Sequence, residues 1–310
     1  MHNKLSRVMG LIVLALTALV VSASPLWAKS VLNIVTTTPD LADAVRNVGG
    51  SHVSVSNICL GYQDPHQVET KPSYLRKLQG ADGFIQTGLS LEIAWAPSLL
   101  RSARNTKIMP GNSGFFDAST GITPMEKPTG GVDRTMGDVH PNGNPHYTLS
   151  PNNMKIVARN VTVFLKRLDP ANAATYDANY SAYWHKLDAA DKRWKAQLAP
   201  YAGSPLVTYH STWPYFANHF KLRLVGYIEP KPGISPSTKH LNALTTTITK
   251  NHCRVIVVEP WFNDSIARSV AGKTNAKVMR LPALPGGVPG TDSYIDMMNY
   301  NVRSLVEALR

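Results

Sequence analysis

Three histidines carry the chemistry most open to this chain. His66, His146 and His210 stand in the runs Gln63-Asp64-Pro65-His66, Asn144-Pro145-His146-Tyr147 and Thr208-Tyr209-His210-Ser211, far apart in the 310-residue sequence. Neutral imidazole nitrogen is a preferred donor for borderline cations such as zinc, at about 2.0–2.1 Å. A fold that gathers the three rings would make a metal site. The sequence has no HExxH run, no CxxC pair and no Cys/His cluster. Neither a helix-borne metalloprotease site nor a structural zinc knuckle is therefore indicated.

The elements that must position these rings are readable from the apolar patterning. Val31–Thr38, Val53–Cys59 and Gly83–Thr87 read as strands, with Thr106–Met109 a candidate fourth. Leu41–Val48 and Ser73–Gln79 between them have helical spacing. The second half repeats the scheme with strands at Leu206–His210, Leu224–Glu229, Val255–Glu259 and Lys277–Leu281. Its helices are Leu241–Lys250 and Ser265–Lys273. Near-continuous apolar strands separated by helices argue for parallel sheets covered on both faces. The expectation is α/β, with two Rossmann-like lobes over residues 29–170 and 200–310.

Between the lobes, residues 171–199 contain no Pro or Gly, and Tyr176, Tyr180, Tyr183, Leu187, Ala190, Trp194 and Leu198 recur at steps of four and three. That is one face of a long helix, reaching about 40 Å at 1.5 Å per residue. Packing of this helix against both lobes explains the aromatics more simply than a coiled-coil dimer, so a monomer is expected.

Ligands of α/β lobes gather beyond the carboxyl ends of the strands. His66 follows the second strand by a short turn, and His210 ends the first strand of the second half. His146 precedes Ser150-Pro151, an N-cap and N1 pair that should open a helix. Asp292, between the loop Pro285–Gly290 and the final helix, offers a carboxylate from the second lobe. Two ligands from each lobe would close a tetrahedral His3Asp shell across the cleft. The other reading makes Asp292 an N-cap and leaves the fourth position to Asp296 or water. Residues 118–144 form a loop rich in Gly, Pro and Thr, of a length that is usually functional or mobile. Its His140 belongs either to a metal-capture lid or to a plain surface insertion. Asp64 can accept a hydrogen bond from a ligand imidazole or serve its local turn. Glu69, Glu229 and Glu259 read as acids that support ligands or cap helices. His52, His185, His219, His240 and His252 have no motif context and read as surface or interface residues. Trp213 and Trp261 either wall the cleft or pack in the core.

The ends and composition bound the rest. Lys4 and Arg7 precede an apolar run from Val8 to Val21, followed by small residues and Ala28. These are the parts of a secretory signal peptide, and the run is shorter than the ~20 residues of a membrane span. Cleavage near Ala28 is expected, giving a soluble periplasmic protein. No cysteine lies in this zone, which argues against lipid modification. Of 32 basic and 20 acidic residues, removing Lys4 and Arg7 and no acid leaves a net charge of +10. The basic residues are scattered, without a run that would mark a nucleic-acid site. Cys59 and Cys253 read as buried free thiols.

Together these words become a recognisable pattern. Asp64-Pro65-His66…Glu69…Pro72-Ser73 resembles the DPHxxExxPS signature of the metal-binding cluster A-I solute-binding proteins of zinc/manganese ABC transporters. The resemblance continues through Asn144-Pro145-His146 and Tyr209-His210-Ser211-Thr212-Trp213-Pro214, and ends at Asp292-Ser293-Tyr294…Asn299-Tyr300-Asn301. It covers essentially the whole chain after the leader. It implies two α/β lobes joined by one rigid helix, and a receptor that hands a divalent metal to a membrane permease. The ligands it implies are His66, His146, His210 and Asp292, around Zn2+ with Mn2+ or iron as the alternative. In the second motif the family usually has Trp and, two residues on, Asp, whereas this chain reads Tyr147-Thr148-Leu149-Ser150. The long His-rich loop of many zinc-specific members is also missing. A nitrogen-rich tetrahedral shell suits zinc, and manganese tends to oxygen-rich shells. Two other functions are consistent with such a chain: a zinc hydrolase with an open coordination position, and an adhesin that binds matrix protein.

Overall fold

Short strands of three to five residues build both sheets among the described residues. The computed structural model describes residues 31–130, 137 and 140–310, so the leader expected at residues 1–28 lies outside the described residues, as does part of the loop 118–144. The first sheet contains β1 (Leu32–Thr36), β2 (Val53–Asn57), β3 (Gly83–Gln86) and β4 (Phe115–Asp117), in the order β2-β1-β3-β4. The second contains β5 (Pro205–Thr208), β6 (Arg223–Tyr227), β7 (Val255–Val258) and β8 (Lys277–Arg280), in the order β6-β5-β7-β8. Every pairing is parallel. All four residues of β7 are buried, as expected for a strand covered on both faces. The two α/β lobes thus repeat one topology. In each, the first strand lies beside the third, where the strand order reverses and a crevice opens.

One strand differs from the sequence reading. Thr106–Ile108 is a 3-10 turn, not a strand, and β4 lies further on at Phe115–Asp117. The Asn105 side chain accepts a hydrogen bond from the Lys107 backbone N–H and donates to the carbonyls of Leu78 and Ala81. That local bonding closes a turn where apolar patterning alone suggested extension.

Helices α1 (Pro39–Gly49), α2 (Pro72–Gln79) and α3 (Ala96–Ala103) belong to the first lobe. Next come α4 (Pro151–Leu168) and the long α5 (Ala173–Leu198), of 26 residues. The second lobe adds α6 (Pro214–His219), α7 (Thr238–Lys250), α8 (Ser265–Ala271) and α9 (Tyr294–Leu309). Proline opens α1, α2, α4 and α6, where its missing N–H costs nothing.

The aromatic face of α5 is anchored to both lobes. Tyr183 donates to Asp43 of α1 at 2.9 Å, and Trp194 donates to Asn299 of α9 at 2.8 Å. Asn179 donates to the Val48 carbonyl. Around these bonds a single apolar cluster runs without interruption from Ile34 and Val45 through Tyr176 and Leu187 to Leu206, Val255 and Leu305. The lobes therefore share one core, with α5 at its centre. Cys59 and Cys253 are both buried and free.

Candidate metal centre

The strand ends place the three histidines together. Thr208 closes β5, and its hydroxyl donates to the His210 carbonyl at 2.7 Å. Thr36 makes the same bond to Thr38 at the end of β1. His210 thus occupies in the second lobe the place that Thr38 holds in the first. His66 lies in the turn between β2 and α2, and His146 lies at the entry to the turn that leads into α4. One ligand atom from each of these three rings lies within 4.8 Å of those of the other two. Their ring centroids are 5.1–5.4 Å apart, and all three residues are buried.

Each ring is held by the same device. The Nδ1 of His66 donates to Asp64 Oδ1 at 2.7 Å, and the same oxygen accepts the His66 backbone N–H at 2.9 Å. Asn144 Oδ1 does this for His146, at 2.9 and 3.0 Å. Glu229, just beyond β6, accepts from His210 Nδ1 at 2.7 Å. An oxygen acceptor at Nδ1 places the proton there and leaves Nε2 with a free lone pair. The Nε2 atoms of His66 and His146 are buried without a partner, which is costly unless something binds them. Neutral imidazoles with Nδ1 tied to oxygen and Nε2 free have the arrangement of metal-ligating histidine. The donor set thus fits a borderline divalent cation.

Burial favours the unprotonated form of His146. Burial pushes the His146 pKa well below the ordinary 6.5, and the neighbouring His66, His210 and His140 push it further. Burial raises the Asp64 carboxyl, but the hydrogen bonds it accepts from the His66 ring and backbone N–H offset this, and it is held below the usual range. Asp64 therefore stays an acceptor.

Other expected residues take varied places. Asp292 is exposed and stands outside the three-histidine group. It does not cap α9 either. Ser293 accepts the Asp296 N–H and donates to the Asp296 carboxylate at 2.6 Å, a reciprocal cap of the kind that fixes helix starts. Ser150 sits at the N-cap of α4 without a capping hydrogen bond, because its hydroxyl pairs with His219 Nδ1 at 3.2 Å. His219 is no surface residue: its side chain is buried and its Nε2 donates to Asp191 of α5 at 2.6 Å. Glu69 is exposed. Glu259 is fully buried at the end of β7, accepts from Trp213 Nε1 at 3.0 Å, and is pushed up to about 8 by that burial. Trp213 is a core residue, whereas Trp261 lines a narrow cleft beside Pro65, Pro145 and His146.

Two supporting residues escape the sequence reading. Asn144 not only orients His146; its amide donates to the Ser211 carbonyl at 2.7 Å and to Glu126 at 2.9 Å. Glu126 also accepts from Ser211 and Tyr227. The first-lobe histidine is thereby tied to the residue beside the second-lobe histidine. The signal was present, since Asn144-Pro145-His146 repeats the form of Asp64-Pro65-His66. Above the rings, a cavity of about 220 Å³ opens between Glu126, His140, His146, His210 and Glu229.

Comparison with known proteins places the chain in a family and matches its fold. A family model described as "Zinc-uptake complex component A periplasmic" matches residues 34–308. The metal ABC transporter substrate-binding lipoprotein ScbA of Streptococcus cristatus is 28% identical over 290 residues, covering 91% of this chain and 90% of its own. The manganese ABC transporter substrate-binding lipoprotein scaA of Streptococcus gordonii is 28% identical over 291 residues, with the same coverage. The crystal structure of ZnuA superposes with a TM-score of 0.76 at 26% identity, covering 91% of this chain and 100% of that one. These relatives overturn one expectation. They are named lipoproteins of streptococci, against the reading of a lipid-free periplasmic protein. That reading leaned on the lack of cysteine near Ala28, and the charged and apolar parts of a leader do not themselves decide between lipidated and free export.

Proposed function

We propose, from the premise that the chain belongs to the zinc-uptake complex component A family, that it captures Zn2+ through His66, His146 and His210. The family is a solute-binding component of an ABC transporter and not an enzyme, so its partners are a divalent metal ion and a membrane permease. The observation that carries the ligand assignment is the convergence of three buried imidazoles, each with Nδ1 bound to oxygen. Zinc is favoured because all three donors in the group are nitrogen, and manganese prefers oxygen-rich shells. Relatives named for manganese support a second reading, in which the same rings take Mn2+. By the Irving–Williams order a nitrogen site holds zinc more tightly than manganese, so transport of manganese would need control by metal supply.

Native mass spectrometry of chelator-stripped protein offered equal free zinc and manganese tests the proposal. One zinc per chain, lost in His210→Ala, supports it. Preferential manganese would replace the cargo assignment, and a chain that takes up neither metal would overturn the capture reading.

A further inference from the structure

We infer that His140 supplies a fourth nitrogen to the metal, converting the three-imidazole group into a tetrahedral four-imidazole shell. This inference rests on the capture reading above and deepens it. The His140 ring is stacked on His66, with centroids 5.2 Å apart and planes 27° from parallel. It lines the same cavity as His146 and His210. Its Nε2 is buried without a hydrogen-bond partner, the condition also found at His66 and His146. A buried imidazole nitrogen left idle costs free energy, and the cation centre beside it is the available partner.

The backbone around His140 is held in place for this role. The His140 carbonyl accepts the Gly143 N–H at 3.1 Å, and Asn142 donates to Ser90 of the first lobe at 3.0 Å. Further along the loop, Asn144 is bonded to Met125, Ser211 and Glu126. Because Asn144 also orients His146, the stretch from His140 to His146 presents two imidazoles with one anchor between them. His140 stands beside the group whose ligand atoms lie within 4.8 Å of one another, not inside it. Its ring must therefore turn toward His66 on capture, a side-chain movement that leaves the shared core untouched. The exposed Asp292 offers no rival carboxylate in the described geometry.

The chemical consequence is selectivity. A tetrahedral shell of four neutral imidazoles has no oxygen donor and suits zinc, while manganese loses the oxygen ligands it prefers. His140 is on this account a specificity residue as well as a ligand.

The test uses the full chain, stripped with chelator, as wild type and as His140→Ala, His140→Gln, Asp292→Ala and His210→Ala. Zinc affinity is read by chelator competition, manganese affinity by electron paramagnetic resonance, and ligand number by X-ray absorption of the zinc form and the visible spectrum of the cobalt form. The expected result is one histidine fewer around zinc in both His140 variants, an altered cobalt spectrum, and zinc affinity lower by more than about tenfold. Manganese affinity should change by less than about twofold, about 0.4 kcal/mol, and Asp292→Ala should match wild type throughout. An unchanged histidine count and zinc affinity in the His140 variants, or loss of a ligand in Asp292→Ala, would overturn the inference while leaving metal capture standing. Wild type that binds no metal, or His210→Ala that binds as well as wild type, would overturn the capture reading and this inference with it.

Discussion

Replacing Asp64 by alanine removes the one oxygen that holds the His66 ring through both Nδ1 and the backbone. The bond to Nδ1 is charge-assisted, 2.7 Å long, and buried on the histidine side. Hydrogen bonds to charged groups contribute about 1.5–3 kcal/mol, against about 0.5–1.5 for neutral ones. Loss of the acceptor should therefore weaken metal binding by about 10–150-fold, at about 1.4 kcal/mol per tenfold. Asp64→Asn keeps an oxygen acceptor but gives up the charge, a loss of about 1 kcal/mol or about fivefold. The second motif already has this neutral form, in which Asn144 orients His146 with nearly the same two distances. The protein itself thus contains the geometry that the Asn variant should adopt. Competition against a fluorescent zinc chelator at pH 7 would give the order wild type, Asp64→Asn, Asp64→Ala, with circular dichroism confirming the fold. An alanine variant within about twofold of wild type would refute the argument that Nδ1 acceptors set the ligand geometry.

Three further outcomes are expected. Between the ordinary imidazole value of 6.5 and the depressed value of about 3, the unfolded chain binds a proton at His140 that the fold refuses. Wild-type stability contains a term that falls as pH falls through this window, by up to about 1.4 kcal/mol per pH unit. In urea titrations of the metal-free protein, His140→Gln should gain on wild type between pH 7 and pH 5, and a constant difference would contradict the burial argument. For Glu259 the sign reverses: its carboxyl rises from 4.5 to about 8, so the fold keeps a proton that the unfolded chain has lost. That contribution fades as pH rises toward 8, and Glu259→Gln should gain melting temperature relative to wild type from pH 5 to pH 8. Finally, His219→Ala should cost about 1–3 kcal/mol of stability, because it leaves Asp191 and Ser150 short of a buried partner; a urea midpoint equal to wild type would count against it.

The fold was legible where packing follows from pattern. Seven of the eight strands of the described residues coincide with predicted runs. The central β7 is apolar throughout because it is buried on both faces, whereas the edge strands β2, β6 and β8 are only partly buried and show as β-rich runs mixed with polar residues. The long α5 was visible as an aromatic stripe whose partners, Asp43 and Asn299, lie in opposite lobes. The missing strand shows the limit. Asn105 decides the conformation of Thr106–Ile108 by bonding to backbone 24 to 27 residues away, and no local pattern carries that. The convergence of the three histidines was legible from their words, whereas the exposed position of Asp292 outside that group was not. Its position before a helix suggested either a cap or a ligand, and Ser293 one residue later takes the cap with Asp296. His219 was similarly opaque, since its partners come from α5 and from the start of α4.

A shared core changes how capture and release must work. In a receptor whose lobes turn about a hinge, a few loop residues absorb the change. Here several of the bonds that join the lobes to each other and to α5 come from residues of one apolar cluster: Tyr215 donates to the Asn144 carbonyl and Tyr294 to the Thr148 carbonyl, while Tyr183 and Trp194 tie α5 to either side. Opening the lobes would break these together and expose the cluster around α5. The parts free to respond are the rings and the loop above them, where Glu126, Asn144 and Ser211 make a chain of side-chain bonds at the cavity mouth. Affinity then comes from preorganisation, with the Nδ1 bonds formed before the metal arrives and little ordering left to cost free energy on binding. Solution scattering of metal-free and zinc-loaded protein should accordingly give the same radius of gyration, and a compaction on loading would show that the lobes, not the loop, carry the response.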